Sequence, residues 1–260
     1  MNNPPVYIHE NNLSVAWGKA VLSAVRTGVS ELVPLVVTVD GFSNGKVHTT
    51  PAIQDALDAV LTSSGKQSCD TVSGTIFPQS LWNRGAARQR LYNRYGVIWP
   101  QLKRHHGNHL GIYFQRMVAY GDPADPTNQL EHIITTWKRG NHRRSALQAS
   151  IFDPAKDHSH APQRGFPCLQ HVTFSPQEDG GLCVTGFYAT QYLIERAYGN
   201  YLGLCRLGEF MAQEMGLPLT RMTCFTGIAI CDFPKKELKG LAELIEKNID
   251  SPVEAAEQHV

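Results

Sequence analysis

The stretch from Asn200 to Met215 constrains this chain most. Leu204, Leu207, Phe210 and Met211 recur at spacings of three and four, the period of a helix, and the run is so apolar that the helix needs a core around it. A chain of 260 residues, 42% of them hydrophobic and 18% charged, is long enough to supply that core as one large domain. Strand signals flank the helix. Leu169 to Phe174 and Leu182 to Ala189 are separated by the turn cluster Pro176 to Gly181 and read as a hairpin, and Cys224 to Cys231 reads as a further strand.

The rest of the chain alternates in the same way. Leu13 to Thr27 has helical spacing with Gly28 placed to end it, and Leu32 to Val39 is a β-branched run closed by Asp40-Gly41. Thr50 and Pro51 open a helix to Leu61; Leu130 to Lys138 forms another, stopped by Gly140-Asn141; Lys235 to Lys247 is a final amphipathic helix. Ala146 to Phe152 is an apolar strand, and Ala155 to Gly165 is polar and turn-rich, a surface loop. The mixture predicts an α+β fold over 1–260, with 1–12 and 249–260 flexible.

Several function classes are disfavoured. A net charge of +1 gives no field toward a nucleic acid polymer or a membrane surface, and no apolar run is long enough to span a bilayer. The six cysteines never occur as C-x-x-C and no export signal opens the chain, so free thiols and a cytoplasmic setting are expected. His105, His106 and His109 lack a matching carboxylate or cysteine motif and lie beside Lys103 and Arg104, so they read as a surface loop and no metal is expected. His158 and His160 read as part of the solvated loop before Cys168.

Cys168, in Phe166-Pro167-Cys168, stands between that loop and a strand, on a backbone restricted by proline. A buried structural thiol is the usual fate of a free cysteine; a reactive one needs positive charge nearby, for which His142-Arg143-Arg144 and Arg164 are candidates. Taken as a bare pair, Arg143 and Arg144 read equally as solvated surface residues.

The order of Asn141-His142-Arg143-Arg144, an apolar strand, a loop, Pro167-Cys168, a hairpin, Tyr198-Gly199-Asn200 and a helix ending Met211-Ala212-Gln213 resembles the thymidylate synthase and pyrimidine nucleotide hydroxymethylase family. Phe225-Thr226-Gly227, Ile98-Trp99 and Leu110-Gly111-Ile112-Tyr113 extend the likeness, which runs from Phe77 to Gly227. The resemblance implies a large mixed β-sheet flanked by helices in a single domain, and a homodimer packed sheet against sheet.

It also implies a chemistry. The Cys168 thiolate would add to C6 of a pyrimidine nucleotide and make C5 a carbon nucleophile for a one-carbon unit, by methylation or hydroxymethylation from 5,10-methylenetetrahydrofolate. Arg143 and Arg144 would grip the phosphate across the dimer interface. Asn200 would read a uracil-type base edge, accepting from N3–H and donating to O4. Trp99 would wall the folate side and Tyr113 would steer the thiolate and the C5 proton, although as residues both read equally as core aromatics.

The chain departs from the family pattern in four places. Gln79 stands where the resemblance places a proton-managing glutamate. Ala189-Thr190-Gln191-Tyr192 replaces Arg-Ser-x-Asp, with Tyr192 at the position of the pterin-binding aspartate. Cys231 and Phe233 fall where a histidine and a tyrosine hold the sugar. These changes motivate an alternative, a nucleotide-binding or assembly module without folate use or turnover.

Overall fold

The computed structural model describes residues 5–105, 108, 111–158, 160 and 167–250. His106, His109, Leu110, Arg164 and Phe166 lie outside the described residues, as does 251–260.

In chain order the strands are β1 (Val6–Glu10), β2 (Glu31–Leu32), β3 (Leu35–Val39), β4 (Phe42–Ser43), β5 (Lys46–Val47), β6 (Gln148–Ser150), β7 (Leu169–Pro176), β8 (Leu182–Tyr192) and β9 (Leu219–Ile230). The helices are α1 (Leu13–Thr27), α2 (Pro51–Ser63), α3 (Cys69–Gly74), α4 (Gln89–Leu102), α5 (Tyr113–Val118), α6 (Gln129–Arg139), α7 (Pro154–Asp157), α8 (Tyr198–Met215) and α9 (Lys235–Asp250).

Local chemistry sets the ends of these elements. The Asn12 side chain accepts from the backbone N–H groups of Ser14 and Val15 to open α1, and Gly28, at φ 79°, closes it in the left-handed region that glycine tolerates. Asn128 opens α6 by accepting from the Glu131 N–H. The expected strand from Leu32 to Val39 is interrupted: Pro34 has no N–H to donate to a ladder, and pairing resumes at Leu35.

Two elements extend into the segments expected to be flexible. Val6–Glu10 lies within the lead expected to be flexible, yet it pairs in parallel with β3 along its whole length. Its short alternation of Ile8 inward with Tyr7 and His9 outward is that of a strand with one buried face. Likewise α9 runs to Asp250, past the expected start of the flexible tail.

The sheet order is β1-β3-β9-β8-β7-β6, with β2 also pairing to β9. β7 and β8 form the expected antiparallel hairpin, whereas β8 and β9 run parallel, with α8 as the intervening crossover helix. The domain is therefore a single mixed α+β unit whose large mixed sheet is flanked by helices.

α8 is buried along nearly its whole length, which accounts for its apolar sequence. Close approach is needed where it meets α3. A Cβ on Gly199 would stand 2.8 Å from the Cys69 carbonyl oxygen, and one on Gly203 would stand 2.9 Å from that of Ser73. Glycine at these two positions brings α3 against α8, and both helices wall the cavity described next.

Candidate active site

Between α3, α5, the start of β7 and the start of α8 lies a cavity of about 880 Å³. Cys168, Tyr113, Gln79, Asn200 and Tyr192 all line it. These residues are far apart in the chain; the hairpin, the crossover helix and the turn at Gln79–Leu81 bring them together.

Cys168 immediately precedes β7, and its carbonyl oxygen accepts from the N–H of Ala189 on β8 at 3.2 Å. Its surface is open, in contrast to Cys69, Cys183, Cys205 and Cys224, which are buried. Protein atoms still crowd the sulfur, and this burial pushes the thiol pKa up while the charge of Arg196 pulls it down. For Cys224, sealed in the core, burial pushes the thiol up to about 12.

Tyr113 opens α5 and faces the same region. Burial pushes its hydroxyl pKa up, the charge of Cys168 adds to the rise, and the backbone of Leu169 opposes it. The phenol therefore stays protonated at neutral pH. Tyr188, fully buried on β8, is also pushed far up by burial.

Of the carboxamides that line the cavity, three are Gln79, Gln191 and Asn200. The Gln79 Oε1 atom is buried and accepts no hydrogen bond. Gln191 is 1% exposed; its Oε1 accepts from the Thr226 hydroxyl at 3.1 Å. Asn200 is 3% exposed at the first turns of α8. Gln191 was not singled out by sequence reasoning: with Val184, Gly186 and Tyr188 inward, the β8 alternation would turn it outward, and its burial follows only from the fold.

Other expected residues lie elsewhere. Trp99 lines a second, smaller cavity of about 360 Å³, where it stacks on Tyr95 with centroids 6.2 Å apart; its neighbour Ile98 faces the Cys168 cavity. Arg116, which lines both cavities, forms a buried ion pair with Asp157 at 2.5 Å and donates to the Ile151 carbonyl at 3.0 Å. Cys231 and Phe233 do not line the Cys168 cavity. His158 is exposed and packs on Phe152, whereas His105 reaches the cavity rim.

Arg143 and Arg144 are exposed, and Arg144 lies against Ser175–Asp179 at the far end of β7 from Cys168. At about 3.3 Å per residue, the length of β7 separates them by roughly 23 Å. The pair therefore does not reach the Cys168 cavity of its own chain.

The cavity also holds Arg196, Arg206 and Asp70, which sequence reasoning left unplaced or unnoticed. Arg206 pairs with Asp70 at 2.8 Å. Arg196 stands four residues before Asn200, a spacing that puts both on one side of a helix, and this was the readable signal.

Among the described residues no cluster of three or more histidine, cysteine or acidic side chains is placed to hold a metal ion, and no helix is long and apolar enough to cross a membrane. In comparisons with known proteins, no family model and no curated protein matches this chain. What the fold and the site define is thus a class: a mixed α+β domain with an open thiol facing a deep, amide-lined cavity.

Proposed function

We propose that this protein modifies C5 of a uracil-type pyrimidine nucleotide through a covalent adduct at Cys168, by one-carbon transfer. The observation that carries the reading is the convergence of an open thiol, a protonated phenol and buried carboxamides on one cavity of about 880 Å³, a size that accepts a nucleotide.

The steps follow from those groups. The thiolate adds to C6, forming a C–S bond, and the C5–C6 π pair moves toward C5 and O4. Asn200 accepts from N3–H and donates to O4, so the negative charge that develops on O4 meets a fixed donor. C5 then bonds to the electrophilic carbon as that carbon's bond to the donor's leaving atom breaks and the electron pair goes to that atom. Water takes the C5 proton, and the C5–H electron pair restores the double bond as the C6–S bond breaks and returns its pair to the sulfur. Tyr113, a protonated phenol on the same cavity, is placed to hold a water that takes the C5 proton. Gln79 can hold a base edge or a water but cannot shuttle a proton as a carboxylate would.

A folate donor fits these residues poorly. Asp70 is the single carboxylate among the described residues lining the cavity, and it is tied to Arg206, so a pterin would meet no unpaired acid.

The phosphate grip assigned to Arg143 and Arg144 requires a second subunit, since the pair is remote from its own cavity. The open face of the sheet supports a homodimer: Tyr7, Val36, Phe225, Phe187 and His171 form one cross-strand row, with Phe187 and Phe225 stacked at 5.4 Å. A row of this kind left to water is costly, and sheet-on-sheet packing would cover it.

A second reading, nucleotide binding without turnover, is favoured by Gln79 and by the absence of an unpaired acid in the described cavity wall. Tritium release from C5-labelled uridine and cytidine nucleotides separates the two. The enzyme reading expects release from a uracil-type nucleotide and its loss in Cys168→Ser; binding that is unchanged in that variant, with no release from any substrate, would favour the second.

A further inference from the structure

The smaller cavity beside the Cys168 cavity has the make-up of a second ligand site. One wall is a single face of α4, where Tyr92, Tyr95, Gly96 and Trp99 stand at spacings of three and four. The opposite wall comes from the end of α5 and from Tyr120. Backbone hydrogen bonds of 2.9 Å in both directions between Tyr120 and Thr127 close the turn that follows. The Tyr120 hydroxyl donates to the Phe152 carbonyl at 2.9 Å, and the Lys156 ammonium donates to the Gly121 carbonyl. This wall is therefore fixed by the protein's own contacts.

Its lining sets the class of ligand. The charges are matched in pairs, Arg116 with Asp157 at 2.5 Å and Lys156 with Asp153 at 3.4 Å, so an entering ion would find its counter-charges already engaged. The rings of Tyr95 and Trp99 lie within 19° of parallel, and Tyr92 and Tyr120 add two more, so a flat π-system would meet aromatic faces and edges. Tyr92 and Tyr95 are 8% and 3% exposed, and neither hydroxyl has a hydrogen-bond partner; the Asn128 side chain and the Gln115 backbone lie beside them without bonding. A polar atom on the edge of a ring would satisfy such a buried hydroxyl. Gly96 adds a separate sign. Glycine is unfavourable inside a helix, and no protein atom lies within 4 Å of where its Cβ would stand, so packing does not require it. Since Gly96 lines the cavity, what the missing side chain leaves open is the way in.

We propose that this cavity of about 360 Å³ binds a flat, uncharged aromatic or heteroaromatic ring that carries a hydrogen-bonding atom on its edge. Tyr95 and Arg116 line both cavities, so the ring would sit against the wall of the Cys168 cavity. The site stands whether or not Cys168 is a nucleophile.

The test is a ligand-observed NMR titration with quinolin-2-one, a flat neutral bicycle with one N–H and one C=O on its edge. Cyclohexanecarboxamide serves as a puckered control and naphthalene-2-sulfonate as a charged one. The parent protein should bind quinolin-2-one saturably and each control about tenfold more weakly. Trp99→Leu should weaken quinolin-2-one about fivefold, the loss expected for one aromatic partner. Gly96→Leu should abolish binding, whereas Gly96→Ala should change it by less than about twofold and raise the melting temperature. Asn200→Ala, which alters the Cys168 cavity alone, should leave it unchanged. No saturable binding, equal binding of either control, or binding that a folded Gly96→Leu protein retains overturns the proposal. Binding lost in Asn200→Ala but kept in Trp99→Leu overturns it too, because the ring would then sit in the Cys168 cavity. Should Gly96→Leu not fold, undiminished binding in Trp99→Leu decides against the site.

Discussion

The two faces of the sheet meet different surroundings. On one, Leu35, Val37 and Val39 of β3, Val184, Gly186 and Tyr188 of β8, and Met222 and Cys224 of β9 are buried, with α1 and α8 packed across these strands. On the other, the alternate positions hold Tyr7 at 72% exposure, Phe187 at 41%, the stacked Phe225, and a ladder of Thr38, Thr223, Thr185 and Thr173. Helices close the first face within one chain. The second carries an aromatic row that no described helix covers, which teaches that alternate residues of the same strands meet separate demands, packing on one side and an open surface on the other.

That contrast predicts opposite consequences for substitutions on the two faces. The largest effect is expected on the helical side. Gly203→Val would push a branched side chain into Ile76 and the Ser73 carbonyl, where even a Cβ stands 2.9 Å from each. Loss of about 3 kcal/mol in chemical denaturation is expected, because backbone cannot yield there as a flexible side chain would. A loss well under 1 kcal/mol would show that α3 and α8 can part and that the cavity wall is looser than described. On the open face, Phe225→Asp should cost less than about 1 kcal/mol of unfolding free energy yet convert a dimer to a monomer in light scattering. A parent protein that is already monomeric would remove the role given to Arg143 and Arg144.

Much of the fold was legible because the sequence carries local punctuation. Gly28, Asn128 and Gly140 mark helix ends, and the turn cluster from Pro176 to Gly181 marks the hairpin. β1 was missed because five residues with one inward side chain give almost no periodic signal; only pairing with β3 makes them a strand. β9 begins at Leu219, before the apolar run at Cys224, because its first half alternates buried residues with polar Thr220, Arg221 and Thr223.

The site was legible to a lesser degree. Cys168, Tyr113, Gln79, Asn200 and Tyr192 were named from motif order and do share a cavity, whereas Trp99 faces a neighbouring one. One residue decides that difference: on α4, Ile98 and Trp99 point to different sides, and sequence order does not reveal which side meets the cavity. Gln191 could not be ranked from sequence because its place in the cavity wall comes from burial, a tertiary fact.

The most direct test of the sulfur's role is the intact mass of the protein after incubation with 5-fluoropyrimidine nucleotides of the uridine and cytidine series, followed by peptide mapping. A stable adduct on the Cys168 peptide, formed with a uridine-type nucleotide and lost in Cys168→Ser, is the predicted result. No mass increase with any member of the series, or an adduct that survives in Cys168→Ser, would contradict it.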